Sequence, residues 1–379
     1  MKKNKKIFFW SPLLGHVGTL NAVLHSAQSL SRYGGGEIYI INTFGEFDNF
    51  KKNYDKFNYI DIFKLSEFLP HTGFFSKLSI YLFSFLALPK FSFYIIKIKP
   101  DIMVINLVGI IPLLIKSIFP KNCFFINSIQ GFPKFNKLRI FLWTKFYSKS
   151  DLLVTMSKLS KDLIISKIKI DPKKIVKINN PVIVSKIKML SLEPIEKNFD
   201  YIFKDFFCFI NVGRLTTQKN QIELIKAFNF LYSKSKKFSL VIIGDGELKP
   251  HYQRYIKTNN IQNIFLLGHK NNPYKYIARS KVYVSSSLWE DPGHTLIESA
   301  YLNIPIVSSN CEAGPKEILK DSHNSFVYES GDISSLCKKL EFVTKNYENL
   351  GQVRFNAKKL SKDFTLQSYY RDMIKYIQI

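Results

Sequence analysis

Glu290 and Glu298 are separated by seven residues within SSSLWEDPGHTLIESA. A Pro-Gly turn (Pro292, Gly293) lies between them, and Leu296, Ile297, Ala300 and Leu302 recur at helical spacing. The apolar run Val282–Val284 comes first, so the order is strand, tight loop, helix N-terminus. A helix start presents free backbone N–H groups and partial positive charge, which suit an anion such as a phosphate. Carboxylates beside such a site are useful when they hold hydroxyls flanking the phosphate. Riboses and sugars carry those hydroxyls, so the chemistry expected here is that of a sugar nucleotide.

A second loop, Asn211 to Asn220 (NVGRLTTQKN), leaves a strand and enters a helix. Gly213 lets the backbone turn closely. Arg214 and Lys219 bring two fixed positive charges suited to a diphosphate leaving group, although a surface Arg and Lys near a helix start are also common. Gly244-Asp245-Gly246-Glu247 is a frequent strand-to-helix connector that can equally hold a base or ribose. Nearer the N-terminus, Ser11 to Thr19 places Gly15 and Gly18 at an anion-friendly helix start. His16 in that loop is either a catalytic or binding group or an ordinary exposed histidine. The loop has neither G-x-G-x-x-G nor a Walker Lys-Ser/Thr, against a dinucleotide or ATP site. No Asp-x-Asp occurs in the sequence, so no metal site is expected. A departing diphosphate would then rely on Arg214, Lys219 and the helix start at Gly293–Leu296.

These loops need parallel strands behind them. Ile7–Trp10, Ile38–Ile41, Ile102–Ile105, Cys123–Ile126, Leu152–Thr155 and Ile175–Ile178 read as buried strands alternating with helical patterns. Residues 180–206 break the rhythm. It restarts at Phe207–Val212, Leu240–Ile243, Ile264–Leu267, Val282–Val284 and Ile304–Val307. The expected organisation is α/β: an N-terminal, acceptor-side Rossmann-like domain over 1–190 and a linker over 191–206. A nucleotide-sugar-binding Rossmann-like domain over 207–360 follows, then a C-terminal helix over 361–379 that can pack back on the first domain.

At 379 residues the chain has room for two such cores, and 46% hydrophobic with 22% charged residues is a folded composition. The net charge is +26, but only seven of the 55 basic residues are Arg, and AT-rich codons account for part of the lysine excess. Residues 1–190 hold 29 basic and 10 acidic residues, whereas 191–379 hold 26 and 19. A basic first half suits nucleic acid, anionic lipid or a phosphorylated acceptor. Scarce arginine and the lack of a zinc-finger, RRM-type or recognition-helix pattern disfavour nucleic acid. Four scattered cysteines read as buried thiols of a reducing cytoplasm. The N-terminal apolar run is short, is broken by Ser11-Pro12 and lacks a small-residue cleavage site. It reads as a first strand rather than a signal peptide, so a cytoplasmic location is expected. Residues 78–96 carry one charge, Lys90; Pro89 and Lys90 interrupt the run, so a buried or interfacial helix is expected rather than a membrane span.

Taken in order, NVGRLTTQKN, IIGDGE, FLLGHK, SSLWEDPGHTLIESA and SNCEAGPKEIL resemble retaining glycosyltransferases of the GT-B fold, the group 1 (family four) class. The wording of the Glu290 loop and of GPKEIL is most similar to transferases of capsule, O-antigen or lipopolysaccharide assembly. The resemblance implies two doubly wound Rossmann-like domains facing a central cleft. It further implies that Arg214 and Lys219 bind the donor diphosphate, Glu298 the ribose and Glu290 the hydroxyls of the transferred sugar. Gly293, His294, Thr295 and Leu296 would offer backbone N–H groups, while Gly15 and Gly18 pack near the phosphates and acceptor. The implied reaction retains anomeric configuration without a protein nucleophile. Many family members carry a His where Gln130 stands here; Gln keeps a hydrogen-bonding role but does not titrate near neutral pH.

The expected function is transfer of a sugar from a UDP- or GDP-linked donor, a co-substrate rather than a cofactor, to a growing, lipid-linked glycan. The expected setting is peripheral, on the anionic inner face of a membrane. Rival readings are a nucleotide-sugar epimerase or glycoside phosphorylase of the same fold, or a basic nucleic-acid-binding protein.

Overall fold

Our computed structural model describes residues 4–14, 18–65, 68–69 and 73–377. Gly15 and His16 lie outside the described residues. The chain divides into two units, residues 1–181 with 366–379, and residues 182–365.

Among the described residues, seven strands form the sheet of the first unit: β1 (Lys6–Trp10), β2 (Glu37–Asn42), β3 (Asn58–Asp61), β4 (Ile102–Ile105), β5 (Phe124–Ser128), β6 (Leu152–Thr155) and β7 (Ile175–Lys177). Their order is β3-β2-β1-β4-β5-β6-β7, and each pairing is parallel. Phe8 pairs with Tyr39 of β2 on one side and Met103 of β4 on the other. Strand alternation sends Ile7 and Phe9 into one core and Phe8 and Trp10 into the opposite one. A parallel sheet covered on both faces requires this, which is why its strands read as unbroken apolar runs. Helix Gly18–Gly34 covers the first face through Leu20, Val23, Leu24 and Ala27. The last helix, Leu366–Met373, joins that layer with Tyr369 and Met373 buried, and Ser29 Oγ donates to the Leu366 carbonyl at 2.6 Å.

The second unit repeats the plan with β8 (Phe207–Val212), β9 (Phe238–Ile243), β10 (Ile264–Gly268), β11 (Val282–Ser285), β12 (Trp289–Glu290), β13 (Ile306–Ser309), β14 (Glu312–Ala313) and β15 (Phe326–Tyr328). The main sheet has the order β10-β9-β8-β11-β13-β15, while β12 and β14 pair separately. Both sheets reverse winding direction beside their first strand, at β1/β4 and at β8/β11. In doubly wound folds, that switch point is where strand-end loops part and ligands enter.

The division of the chain differs from the sequence expectation. Residues 191–206 are not a linker: the second unit begins at Val182, and helices Lys186–Leu192 and Lys197–Lys204 belong to it. Ile195, Ile202 and Phe203 are buried in a core with Cys208, Val241 and Tyr276. Lys197 and Lys204 face solvent, so charge on one side hid an amphipathic helix. At the other end the first unit resumes at Leu366 rather than 361. Strands β3, β12, β14 and β15 went unanticipated: β3 carries polar residues at both ends, and the other three span only two or three residues.

Because Met373 is fully buried among first-unit side chains, Met373→Ala should destabilise that unit by about 2–5 kcal/mol. Urea unfolding is the check. An unchanged midpoint, equal to that of the exposed control Lys375→Ala, would show the last helix to be peripheral.

Candidate active site in the second unit

Two close backbone approaches build the site. A Cβ on Gly244, whose φ is +148°, would lie 1.9 Å from the Gly213 carbonyl oxygen. One on Gly246 would lie 2.4 Å from that of Leu215. Only glycine allows the loops after β8 and β9 to touch this way. Backbone hydrogen bonds fasten the contact: Gly213 N–H to Ile243, Leu215 N–H to Asp245 and Leu248 N–H to Leu215. Gly213 serves a second purpose, since a Cβ there would crowd Lys219 Cε at 3.2 Å. The stem of Lys219 passes over that glycine.

Lys219 Nζ donates to Glu290 Oε1, and both side chains are largely buried. Ser287 Oγ donates to the same carboxylate oxygen at 2.6 Å. The β8 and β11 loops are clamped around the pair. Gln218 Nε2 donates to the Trp289 carbonyl at 2.9 Å, Leu288 N–H to the Gln218 carbonyl at 2.8 Å, and Ser286 Oγ to the Lys219 carbonyl at 2.9 Å. On its other side Glu290 lies in the short β12–β14 ladder, opposite Ala313. Arg214 differs: it is exposed, and no side-chain hydrogen bond or ion pair engages it among the described residues. The sequence treated the two cations alike, but the structure pairs one and leaves the other facing solvent.

Helix His294–Tyr301 starts immediately after Gly293, whose φ is +91°. Thr295 Oγ1 accepts from Tyr283 Oη at 2.6 Å, which ties the first turn to β11. Leu296 is buried. Burial pushes the His294 imidazole down to about 4, so the ring is neutral near pH 7, and its Nε2 has no hydrogen-bond partner among the described residues. Although part of Glu298 reaches solvent, its carboxyl is enclosed, and this burial pushes it up to about 7 against the Tyr274 hydroxyl, which donates to it at 3.0 Å.

Lys219, Gly213, Gly246 and Gly293 therefore lie on loops, Glu290 in the short strand β12, and His294, Thr295, Leu296 and Glu298 in the helix that follows it. Tyr274, Tyr283, Gln218 and Ser287 were missed. Ser287 stands three residues before Glu290 and was within reach of inspection; Tyr274 lies 24 residues from Glu298, beyond any local signal.

Two of the other candidates belong to the first unit. Gly18 opens helix Gly18–Gly34 and is exposed. Gln130 sits in a polar cluster at the strand ends: its Nε2 donates to Ser128 Oγ at 2.9 Å and Asn106 Oδ1 at 3.1 Å, while its Oε1 accepts from Asn180 at 2.8 Å.

Two doubly wound Rossmann-like units in one chain constitute the GT-B architecture. The structure of Anabaena Alr3699/HepE in complex with UDP and glucose shares it, with a TM-score of 0.78 over 98% of this chain and 99% of that one at 14% identity. Residues 194–360 match the family model of glycosyl transferases group 1. An uncharacterized glycosyltransferase of Methanocaldococcus jannaschii is 39% identical over 236 residues, 58% of each chain. The Campylobacter jejuni N-acetylgalactosamine-N,N'-diacetylbacillosaminyl-diphospho-undecaprenol 4-alpha-N-acetylgalactosaminyltransferase is 31% identical over 238 residues, 62% of each. The match thus spans about three fifths of the length of these two relatives.

The Glu298 carboxyl yields a pH signature. Its folded value, about 7, lies above its ordinary 4.5, so the ligand-free fold holds this proton more tightly than the unfolded chain does. The resulting stability is complete below about 4.5 and is lost as pH rises through about 7. The difference in unfolding free energy between wild type and Glu298→Gln should therefore fall across that window and level off above it. A difference that is flat with pH would place the carboxyl in an ordinary solvated setting.

Proposed function

We propose that the protein is a retaining glycosyltransferase that moves a sugar from a UDP- or GDP-linked donor to a glycan acceptor. The observation that carries this reading is the clamped Lys219–Glu290 pair beside the helix start at Gly293–Leu296. It brings a cation, a carboxylate and the positive end of a helix together, although the Leu296 N–H, expected to be on offer, is turned to the Gly293 carbonyl at 3.1 Å. Arg214 and Lys219 would neutralise the diphosphate, Glu290 would hold sugar hydroxyls and Glu298 the ribose. Gly246 lies where a base or ribose would pass. In the first unit, Gly18 and Gln130 stand at strand-end positions suited to the acceptor side, with Gln130 in a binding role.

In the reaction, the acceptor oxygen bonds to the anomeric carbon on the face from which the donor phosphate departs. The carbon–oxygen bond to phosphate breaks with its electron pair remaining on the diphosphate, and a phosphate oxygen takes the acceptor proton. Fixed charges that meet the leaving group as it develops negative charge are the source of acceleration. The C. jejuni relative is named for a diphospho-undecaprenol acceptor, which supports a lipid-linked glycan here and work at the inner membrane face. A carrier-linked acceptor of that kind, with the group 1 match over residues 194–360, is compatible with cell-surface polysaccharide synthesis.

A thermal-shift screen against UDP-, GDP-, ADP- and TDP-sugars tests the reading, because a ligand bound only by the native state raises the melting temperature. One or more UDP- or GDP-sugars should stabilise the protein; no response to any of them would reject the donor class. With the responding donor, Glu298→Ala should weaken nucleoside diphosphate affinity, whereas Glu290→Gln should spare it and reduce transfer. Arg214→Ala and Lys219→Ala should each lower kcat/KM by an amount equivalent to about 2–4 kcal/mol. Wild-type rates in both cation variants would place the diphosphate elsewhere.

Turnover should also persist in excess EDTA, since the sequence supplies cations in place of an Asp-x-Asp pair. Activity that vanishes with chelator and returns with Mn²⁺ or Mg²⁺ would overturn the charge assignment.

A further inference from the structure

Helix Gly73–Leu86 of the first unit is turned inside out for a helix in water. Ser84 is fully buried and Ser76 only 5% exposed, whereas Phe75, Leu78, Leu82 and Phe85 are 53–70% exposed. Their spacing of three, four and three residues aligns those four on one stripe. The helix is held inward by Phe83, which meets Phe44 and Phe63 edge-on. Ser84 Oγ has no hydrogen-bond partner among the described residues. The next helix, Leu88–Ile98, buries Phe91 and Ile95 but turns Phe93 and Ile96 outward. On the same side of the sheet, helix Lys137–Tyr147 presents Leu138 and Phe141.

Thirteen of the 23 exposed large apolar side chains among the described residues fall within 68–141, about a fifth of the chain. Residues 68–150 contain eleven Lys and Arg and a single acidic residue, Asp101. Asp101 is engaged by the Lys6 backbone N–H at 2.8 Å. Lys97 and Lys145 sit over the exposed Phe93 and Phe141 rings, at 5.8 and 5.9 Å from the centroids. Apolar contact and positive charge therefore coincide on one layer.

We infer that this layer docks on an anionic lipid bilayer, with the two consecutive helices lying in the interfacial plane. Leu78–Leu86 and Leu88–Ile98 meet at a 50° bend, and no single helix among the described residues is long and apolar enough to cross a membrane. Outward Phe and Leu enter the headgroup–acyl boundary, while the lysines stay at the level of the phosphates. A second copy of the chain is a poor occupant, because two like layers would set lysines such as Lys97 and Lys145 against their own kind. An anionic surface complements that charge. The surface deepens the proposed membrane setting, and its test is read without turnover, so it stands or falls apart from the donor chemistry.

The full chain is floated with vesicles of phosphatidylcholine alone or with about 30 mol % phosphatidylglycerol. Wild type should bind the anionic vesicles at least about tenfold more strongly than the neutral ones, and added salt should weaken binding. The exposed-site variant L82E/F85E should lose about tenfold or more of that binding at an unchanged melting temperature, and L138E/F141E should weaken it independently. Failure of wild type to float with anionic vesicles overturns the inference, as does full binding by both variants. A self-association seen by sedimentation, abolished by L82E/F85E and unaccompanied by vesicle binding, assigns the layer to a second copy and likewise overturns it.

Discussion

Much of the second unit depends on the contact between the loops after β8 and β9. Side chains at 244 and 246 would collide with the backbone of residues 213 and 215, so two glycines set how far β8's loop can bend. That bend carries Lys219 to Glu290 across 71 residues of sequence. Removing two charges from water is costly, and their attraction offsets this cost only when the geometry is good and the remaining lone pairs are bonded. Ser287 supplies the further hydrogen bond to Glu290. Removing one partner of such a pair would cost about 3–5 kcal/mol, because the other is left buried and unpaired. The pair therefore locks the loops as well as placing chemistry.

The surrounding groups differ in electrostatic state for reasons visible in their environments. Arg214 is exposed, with no side-chain hydrogen bond or ion pair among the described residues. Lys219 is held by a carboxylate within a clamped loop. His294 is kept neutral by burial, near both Glu290 and Lys219. The Glu298 carboxyl is poised near neutrality by enclosure, with Tyr274 as its stabilising donor. One cation is thus exposed, one is paired, and two further groups are held uncharged or near neutrality by their surroundings.

The second-unit motifs were legible because each is local: strand, glycine turn and helix start fall within ten or so residues, and their physics does not depend on distant partners. Central strands such as β4, β6 and β8 were legible for a similar reason, being buried on both faces. The edge strands β7 and β10 were legible too, as apolar runs, but the polar-ended β3 and the three-residue β15 were not, nor was helix Lys197–Lys204, whose outward charges concealed Ile202 and Phe203. Long-range partners were the least accessible. Tyr274 has no motif, and nothing in the spacing of Arg214 and Lys219 distinguishes the exposed cation from the paired one. Residues 78–96 read as one buried or interfacial helix; the fold divides them between helices Gly73–Leu86 and Leu88–Ile98 and turns Ser76 and Ser84 inward with Phe and Leu outward.

Hydrogen exchange on the full chain, with and without the nucleotide sugar that most raises the melting temperature, addresses the central claim most directly. Binding should slow exchange in the loop over 213–220, the turn over 244–247 and the segment over 290–298, where fixed charge, close backbone approach and the helix start meet. Unchanged exchange in all three segments, with protection appearing elsewhere, would contradict a sugar-nucleotide site at the carboxyl edge of the second sheet.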